Sequence, residues 1–121
     1  MSVRGIRGAT SVENNTEDEI RRATREMLQE LIEKNQIDTR DIASAFFSVT
    51  SDLNAVFPAR IAREMGWHHV PMMCGWEMDV PGSLKGIIRV MIHLNTDKSQ
   101  EEIKHIYLRK AVKLRPDLAD R

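Results

Sequence analysis

The stretch from residue 85 to residue 94, KGIIRVMIHL, constrains the fold of this chain more than any other. Its nearly unbroken apolar run belongs in a protein core and predicts the strongest β-strand of the sequence. Side chains alternate between the two faces of a strand. One face therefore carries Ile88, Val90, Ile92 and Leu94, and the other carries Ile87, Arg89, Met91 and His93. Because a buried guanidinium without a partner is very costly, Arg89 predicts an internal salt bridge, a snorkelling edge position or, as we favour, a ligand site.

The best predicted helix begins at a capping box, Thr16-Glu17-Asp18-Glu19. Apolar residues then recur at helical spacing along one face, at Ile20, Ala23, Met27, Leu28 and Leu31. We expect Asn35 to end this helix by adopting the left-handed conformation.

Shorter patterns complete the order of the elements. Strands are predicted over residues 2–12 and 42–50, and an extended segment over residues 67–74. Pro58 and Gly66 bracket a short helix over residues 59–65, and Pro81-Gly82 predicts a turn. A second capping box at residues 99–102 predicts a short helix that ends near Tyr107.

The order β-α-β-α-β-β, followed by a C-terminal turn or helix, is typical of an α+β protein. It predicts a mixed sheet with helices on one face. With 121 residues and no repeat or linker, residues 1–121 are expected to form a single domain. The other sheet face would be apolar and uncovered, which favours an oligomer that hides it.

Composition excludes several classes of protein. Lys+Arg and Asp+Glu both number 18, and this zero net charge argues against a nucleic-acid partner. No apolar run is long enough to cross a membrane, and the start of the sequence lacks the apolar core of a signal peptide. The single Cys74 excludes an intrachain disulfide, fits a reducing compartment and is by default a small buried hydrophobe. We therefore expect a cytoplasmic protein.

Several polar residues are candidates for an anion site, and each also has an ordinary explanation. Arg7 lies beside Gly8 in the first strand, where an exposed strand arginine is the alternative. Glu77 follows a predicted strand, where a solvated loop carboxylate is the alternative. Arg60 and Arg63 share one face of the short helix, as on any solvated helix surface. The four histidines show no metal-ligand spacing, so no metal or cofactor is predicted.

Nearly the whole chain resembles the monofunctional chorismate mutases of the bacterial trimeric type. The resemblance depends on segments in register over about 110 residues: VRGIRGAT from Val3, DLNAVFPA from Asp52, Val70-Pro71, EMDV from Glu77, Ile88-Arg89-Val90, HIYL from His105 and LRPDL from Leu114. It implies an isomerase that converts chorismate to prephenate in phenylalanine and tyrosine biosynthesis without cofactor or metal. It also implies a homotrimeric pseudo-α/β barrel with active sites between adjacent subunits.

The resemblance also implies roles for individual residues. Arg89 would hydrogen-bond the ether oxygen of the substrate, Glu77 would accept a hydrogen bond from the ring hydroxyl, and Arg7 and Tyr107 would hold the side-chain carboxylate. Cys74 would be a second contact near the ring hydroxyl, with Met73 lining the same wall. The adjacent subunit would contribute Phe57, Ala59, Arg60 and Arg63. Leu114 and Arg115 would belong to a tail that closes over the site, with residues 116–121 mobile without ligand.

Two alternatives remain open at the level of the sequence. A non-catalytic trimeric module that binds an anion or metabolite would use the same kind of sheet. A structural interaction protein would explain the apolar face, but it would not explain Arg7, Glu77 and Arg89 together.

Overall fold

A computed structural model describes residues 1–114 of the chain. The five strands are β1 (Ser2–Ser11), β2 (Ile42–Val49), β3 (Met72–Trp76), β4 (Ile87–Thr96) and β5 (Ile106–Tyr107). The two α-helices are α1 (Glu17–Asn35) and α2 (Pro58–Glu64), and single 3₁₀ segments cover Thr39–Asp41, Gln100–Glu102 and Arg109–Leu114. None of the helices in this part of the chain is long and apolar enough to span a membrane.

The strands form one mixed sheet in the order β3-β2-β4-β1-β5. β4, the strand predicted from the apolar run, lies at its centre and pairs antiparallel with both β1 and β2. The outer pairs β2–β3 and β1–β5 are parallel. The predicted α+β class and mixed sheet are therefore confirmed, and β5 is an additional strand.

One face of the sheet, here called the covered face, packs against both α-helices. Ile88, Val90, Ile92 and Leu94 of β4 are buried in one cluster with apolar residues of α1 and α2. Gly8 lets α1 approach β1 closely, because a Cβ atom at this position would lie 2.7 Å from Cδ1 of Leu31. The close approach to the backbone that was predicted at this glycine is thus made by helix α1.

The opposite face, here called the open face, carries Arg7, Phe46, Ser48, Arg89 and Met91. Within residues 1–114 it is covered at one end, where the last 3₁₀ segment packs Ala111 against a small cluster with Tyr107. The side chains of Phe46 and Met73 remain 44% and 67% exposed, respectively. In the described part of one chain, therefore, this face is largely uncovered, as expected from the sequence.

α1 begins at the Thr16 cap as predicted, but the expected end of the helix is wrong by one residue. The reciprocal half of the capping box is absent, because the Glu19 carboxylate accepts from the backbone N–H groups of Glu13 and Asn14, whereas that of Thr16 donates to the Asn14 carbonyl. Thr16 Oγ1 accepts a hydrogen bond from the Glu19 backbone N–H at 3.2 Å. Gln36, with φ of 53°, adopts the left-handed conformation in place of Asn35. The Asn35 side chain is buried and satisfies its amide on Leu31 and Lys104 backbone groups, so its own backbone stays helical.

The C-terminal prediction is also corrected. The second capping box is present at Ser99 and Glu102, but it begins a single 3₁₀ turn and not a helix that continues to Tyr107. Ile106 and Tyr107 instead pair with Gly8 and Ala9 of β1. The free edge of β1 offers unpaired backbone groups that this short strand satisfies, which is a tertiary effect. The tail predicted over residues 116–121 lies outside the described residues.

Candidate active site

A pocket of about 240 Å³ opens on the open face, across the middle of the sheet. It is named here the open-face pocket, and its lining includes Arg7, Phe46, Ser48, Arg89 and Tyr107. These residues come from β1, β2, β4 and β5, so the pocket exists only once all four strands have paired. The two arginines make it suited to a negatively charged ligand.

Arg89 meets a carboxylate of its own chain at this pocket. Its Nε lies 3.2 Å from Oε1 of Glu77, and the two side chains are 34% and 20% exposed. The contact is an ion pair but not a hydrogen bond, since the buried Nε has no hydrogen-bond partner anywhere in residues 1–114. The internal salt bridge and the pocket position anticipated for Arg89 are therefore both present, and the N–H at Nε makes no hydrogen bond within residues 1–114.

Glu77 is held from two sides, which the sequence did not reveal. Its backbone N–H donates to the carbonyl of Val49 at 2.8 Å, which fixes the start of the loop after β3 beside β2. Its Oε2 accepts a hydrogen bond from the hydroxyl of Ser48, the residue opposite Arg89 in the β2–β4 pair. The only sequence signal for Ser48 is its position in a buried strand, since a serine there is otherwise unremarkable.

Arg7 and Tyr107 meet through the pairing of β1 with β5. The guanidinium carbon of Arg7 lies 5.9 Å from the centroid of the Tyr107 ring. The Arg7 backbone N–H donates to Nδ1 of His105 at 3.0 Å, a contact that sequence reasoning also missed. The Tyr107 hydroxyl is buried and finds no hydrogen-bond partner in the described part of the chain, so it can bind a ligand oxygen.

A second, larger pocket of about 470 Å³ lies elsewhere on the chain and shares no lining residue with the first. It is named here the α2 groove, and Phe57, Arg60, Cys74 and Trp76 are among the residues that line it. Of the predicted site residues, the structure therefore places Arg7, Arg89 and Tyr107 in the lining of the open-face pocket, and Phe57, Arg60 and Cys74 in that of the α2 groove.

Met73 and Cys74 lie on opposite faces of the sheet within one chain, and the prediction that both line the substrate site stays a prediction. Met73 is opposite Phe46 of the open face, whereas Cys74 is opposite the fully buried Phe47 and packs against the main core. The cause is the alternation of side chains along β3.

The remaining predicted residues surround these two regions. Ala59 is buried in the main core, and Arg63 is exposed on α2. Leu114 packs on the small cluster that contains Tyr107, and Arg115 lies outside the described residues. Residues 1–114 hold no group of three or more side chains suited to a metal ion.

Arg60 faces a carboxylate that is already engaged. Its Nε lies 3.6 Å from Glu64, whereas Nε of Arg21 lies 3.0 Å from the same carboxylate. The hydrogen bond from Arg21 lowers the pKa of Glu64 below its ordinary value. Arg60, more than half exposed and only loosely paired, is thus available to an anion at the mouth of the α2 groove.

Comparison with known proteins gives one consistent answer. The sequence model of the family described as chorismate mutase type I matches residues 3–118. The chain is 51% identical to the chorismate mutase AroH of Bacillus subtilis (strain 168) over 120 residues, which cover 98% of this chain and 94% of that protein. It is 50% identical to the chorismate mutase AroH of Thermus thermophilus over 117 residues, or 96% of each chain. A solved chorismate mutase from Clostridium thermocellum superposes with a TM-score of 0.87 and 54% identity, over 88% of this chain and 96% of that one.

Proposed function

The chain belongs to the chorismate mutase type I family, and from this premise we propose how it rearranges chorismate to prephenate at the open-face pocket. The enzyme is an isomerase. In its substrate, the ether C–O bond breaks while a new C–C bond forms, in one concerted step. No proton is transferred and no covalent intermediate forms, so the protein has only to hold a compact chair-like conformer and stabilise the charge that separates.

Arg89 donates a hydrogen bond to the ether oxygen as that oxygen becomes negative. The observation that carries this role is the buried Nε of Arg89, which lacks a hydrogen-bond partner in residues 1–114 and lies at the pocket. A fixed cationic donor in a site that excludes water stabilises developing charge most strongly. Because its position is set by β4 at the centre of the sheet, it needs no rearrangement when the bond breaks.

Three further residues orient the substrate. Glu77 accepts a hydrogen bond from the ring hydroxyl, and its negative charge lies beside the ring fragment that becomes electron-poor. Arg7 and the free hydroxyl of Tyr107 bind the side-chain carboxylate. Together these contacts favour the reactive conformer over the extended forms that dominate in solution.

A second subunit completes the site, and the assembly is a homotrimer. Phe57 is 67% exposed, and Arg60 and Arg63 project outward from α2, yet none of the three lines the open-face pocket of its own chain. In the assembly we propose, they reach the pocket of a neighbour, with Ala59 supporting them from its own core. The exposed Phe46 and Met73 would then be covered on association.

The other predicted contacts follow from this arrangement. Met73 lies on the open face, whereas Cys74 lines the α2 groove. In the assembly, each residue contacts a substrate in a different active site or acts through a neighbouring side chain. Leu114 packs on the small cluster with Tyr107, beside the pocket, and the predicted role of Arg115 falls outside the described residues. The single cysteine fits the reducing conditions of the cytoplasm, where we place the enzyme.

The first test is turnover itself. Purified protein is mixed with chorismate in the presence of EDTA, and loss of the diene absorbance is followed, with acid conversion of the product to phenylpyruvate as the check. Metal-free turnover is expected. A folded protein that binds chorismate without turning it over would instead be a metabolite-binding module.

The role of Glu77 is tested by Glu77→Gln, with Glu13→Gln as control, because Glu13 is exposed and pairs only with the surface residue Lys110 among described ionic contacts. We expect kcat to fall by about a hundredfold in the first variant, because the negative charge beside the electron-poor ring fragment is lost, and to stay unchanged in the second. Near-native turnover by Glu77→Gln would remove this residue from the mechanism.

The shared site is tested with two variants, Arg89→Ala and Arg63→Ala, purified separately and then refolded together. If each site takes Arg89 from one subunit and Arg63 from its neighbour, some hybrid sites are fully native. The mixture should then exceed the summed activity of the two parents, and sedimentation should give three times the 13.9 kDa mass of one chain. Mixed oligomers without gain of activity would place both residues in a site within one subunit.

A further inference from the structure

Among the described residues that line the open-face pocket, Ser48 is the one polar side chain to which the proposed mechanism gives no role. It is half-buried on β2, opposite Arg89 of β4, and its hydroxyl donates to Oε2 of Glu77. Arg89 approaches the same carboxylate at its other oxygen, Oε1. The carboxylate of Glu77 is thus shared between a hydroxyl and a guanidinium.

This sharing has a consequence for Arg89. An arginine and a carboxylate in contact tend to form a bidentate pair with two parallel hydrogen bonds. Here Ser48 occupies Oε2, and Nε of Arg89, although 3.2 Å from Oε1, makes no hydrogen bond within the described chain. A bidentate pair would engage Nε of Arg89 and one of its other N–H groups. With Ser48 bound to Oε2, the carboxylate is instead held so that Nε makes no hydrogen bond in residues 1–114.

We propose that Ser48 is a positioning residue, which holds the Glu77 carboxylate so that Arg89 keeps a hydrogen-bond donor free for the reacting ether oxygen. The inference rests on the proposed function, because it acts through the roles given there to Glu77 and Arg89. Without the hydroxyl, the Glu77 carboxylate is free to turn and to accept hydrogen bonds from Arg89 in addition to the ion pair already present. The ring hydroxyl and the ether oxygen of the substrate then compete with those internal hydrogen bonds.

The contacts around Ser48 do not indicate a purely structural role for its hydroxyl. The backbone of Glu77 is already tied to Val49 by its own hydrogen bond, and β2 is paired on both sides. Removing one half-buried hydroxyl leaves those bonds intact, so Ser48→Ala should fold. Its cost should appear in the chemical step, where the free donor is needed.

The chain offers a matched control on the same strand. Ser44 also lies on β2, and its hydroxyl is 3.0 Å from Nδ1 of His93 on β4, but it does not line the open-face pocket. Ser44→Ala therefore removes a cross-strand serine contact of the same kind away from the reacting atoms. Ser48→Thr keeps the hydroxyl, and Ser48→Cys keeps the size but donates weakly.

The experiment measures kcat, KM and melting temperature for these four variants. Since a hydrogen bond to a charged group is involved, Ser48→Ala and Ser48→Cys should lower kcat by about tenfold or more, with KM little changed. Ser48→Thr should restore most of kcat, and Ser44→Ala should match the native enzyme. Native kcat in Ser48→Cys, or failure of Ser48→Thr to recover any activity lost in Ser48→Ala, would overturn the proposal.

A double-mutant cycle with Glu77→Gln separates this inference from the proposed function. If Ser48 acts through Glu77, Ser48→Ala should have little further effect on kcat in the Glu77→Gln background. An equal loss in both backgrounds would show that Ser48 acts independently, and would overturn the inference alone. If Glu77→Gln itself leaves kcat unchanged, the role of Glu77 fails and this inference fails with it.

Discussion

The two faces of the sheet are made by the same strands, yet they differ in almost every physical respect. On β4, Ile88 is fully buried under the helices, whereas its neighbour Arg89 faces a pocket with a free donor. On β1, Gly8 admits α1 on the covered face, whereas Arg7 contacts Tyr107 on the open face. Alternation along a strand therefore separates residues that hold the fold from residues available for chemistry.

Ile88→Ala tests the covered face and has the largest expected effect on folding. The side chain is fully buried in the main core, so its truncation leaves a cavity and lowers the free energy of unfolding by about 2–5 kcal/mol. Urea denaturation at fixed protein concentration measures this loss, and kcat of the folded fraction should be unchanged. A variant of native stability with impaired kcat would reverse the assignment of the two faces.

Gly8→Ala and Gly5→Ala compare the faces on a single strand, with a smaller expected effect. A Cβ atom at Gly8 would lie 2.7 Å from Leu31 Cδ1 and 3.3 Å from Met27 Cγ, so the side chains of α1 must move. We expect a loss of about 1–3 kcal/mol in the free energy of unfolding, typical of an overfilled core. At Gly5 the nearest contact is Met91 Sδ at an ordinary 3.4 Å, so this variant should be close to native. Equal losses in the two variants would contradict the close packing ascribed to Gly8.

Glu19→Gln has the smallest expected effect on stability, and it changes a residue away from both faces of the sheet. Hydrogen bonds from Asn14, and then from the Glu13 backbone, lower the pKa of Glu19 below its ordinary value of 4.5. A lowered pKa contributes stability that is present above the unfolded value and is lost as pH falls through the folded value. The native protein should therefore melt at a higher temperature than Glu19→Gln. This difference should be largest above pH 4.5 and should shrink in more acidic solution. A difference that grows as the pH falls would contradict this sign.

Much of the covered face could be predicted from the sequence because burial leaves a periodic pattern. The spacing of Ile20 to Leu31 predicted α1 and its buried side, and the apolar run of β4 predicted the strand at the centre of the sheet. Arg89 stood out because a charge interrupts that run. Local chemistry was sufficient for these elements.

The features that sequence patterns did not reveal depend on tertiary contacts. β5 has two residues and forms only because the edge of β1 is available. Asn35 continues α1 because its side chain is satisfied by Lys104, far along the chain. Ser48 has no local signature, since only the β2–β4 register places its hydroxyl beside Glu77. The resemblance to chorismate mutases added roles and further residues to the candidates that the sequence pattern had indicated, but it did not assign Met73 and Cys74 to opposite faces.

The most direct test of the account is the turnover of chorismate by Arg89→Ala, measured beside its melting temperature and oligomeric mass. Arg40→Ala is the matched control, because Arg40 also pairs with a carboxylate, that of Asp38, but lies on the exposed surface. The account predicts that Arg89→Ala loses about a hundredfold or more in kcat/KM while its mass and melting temperature match those of the control. Near-native turnover, or an oligomer that dissociates and melts early, would show that Arg89 serves the fold and not the reaction.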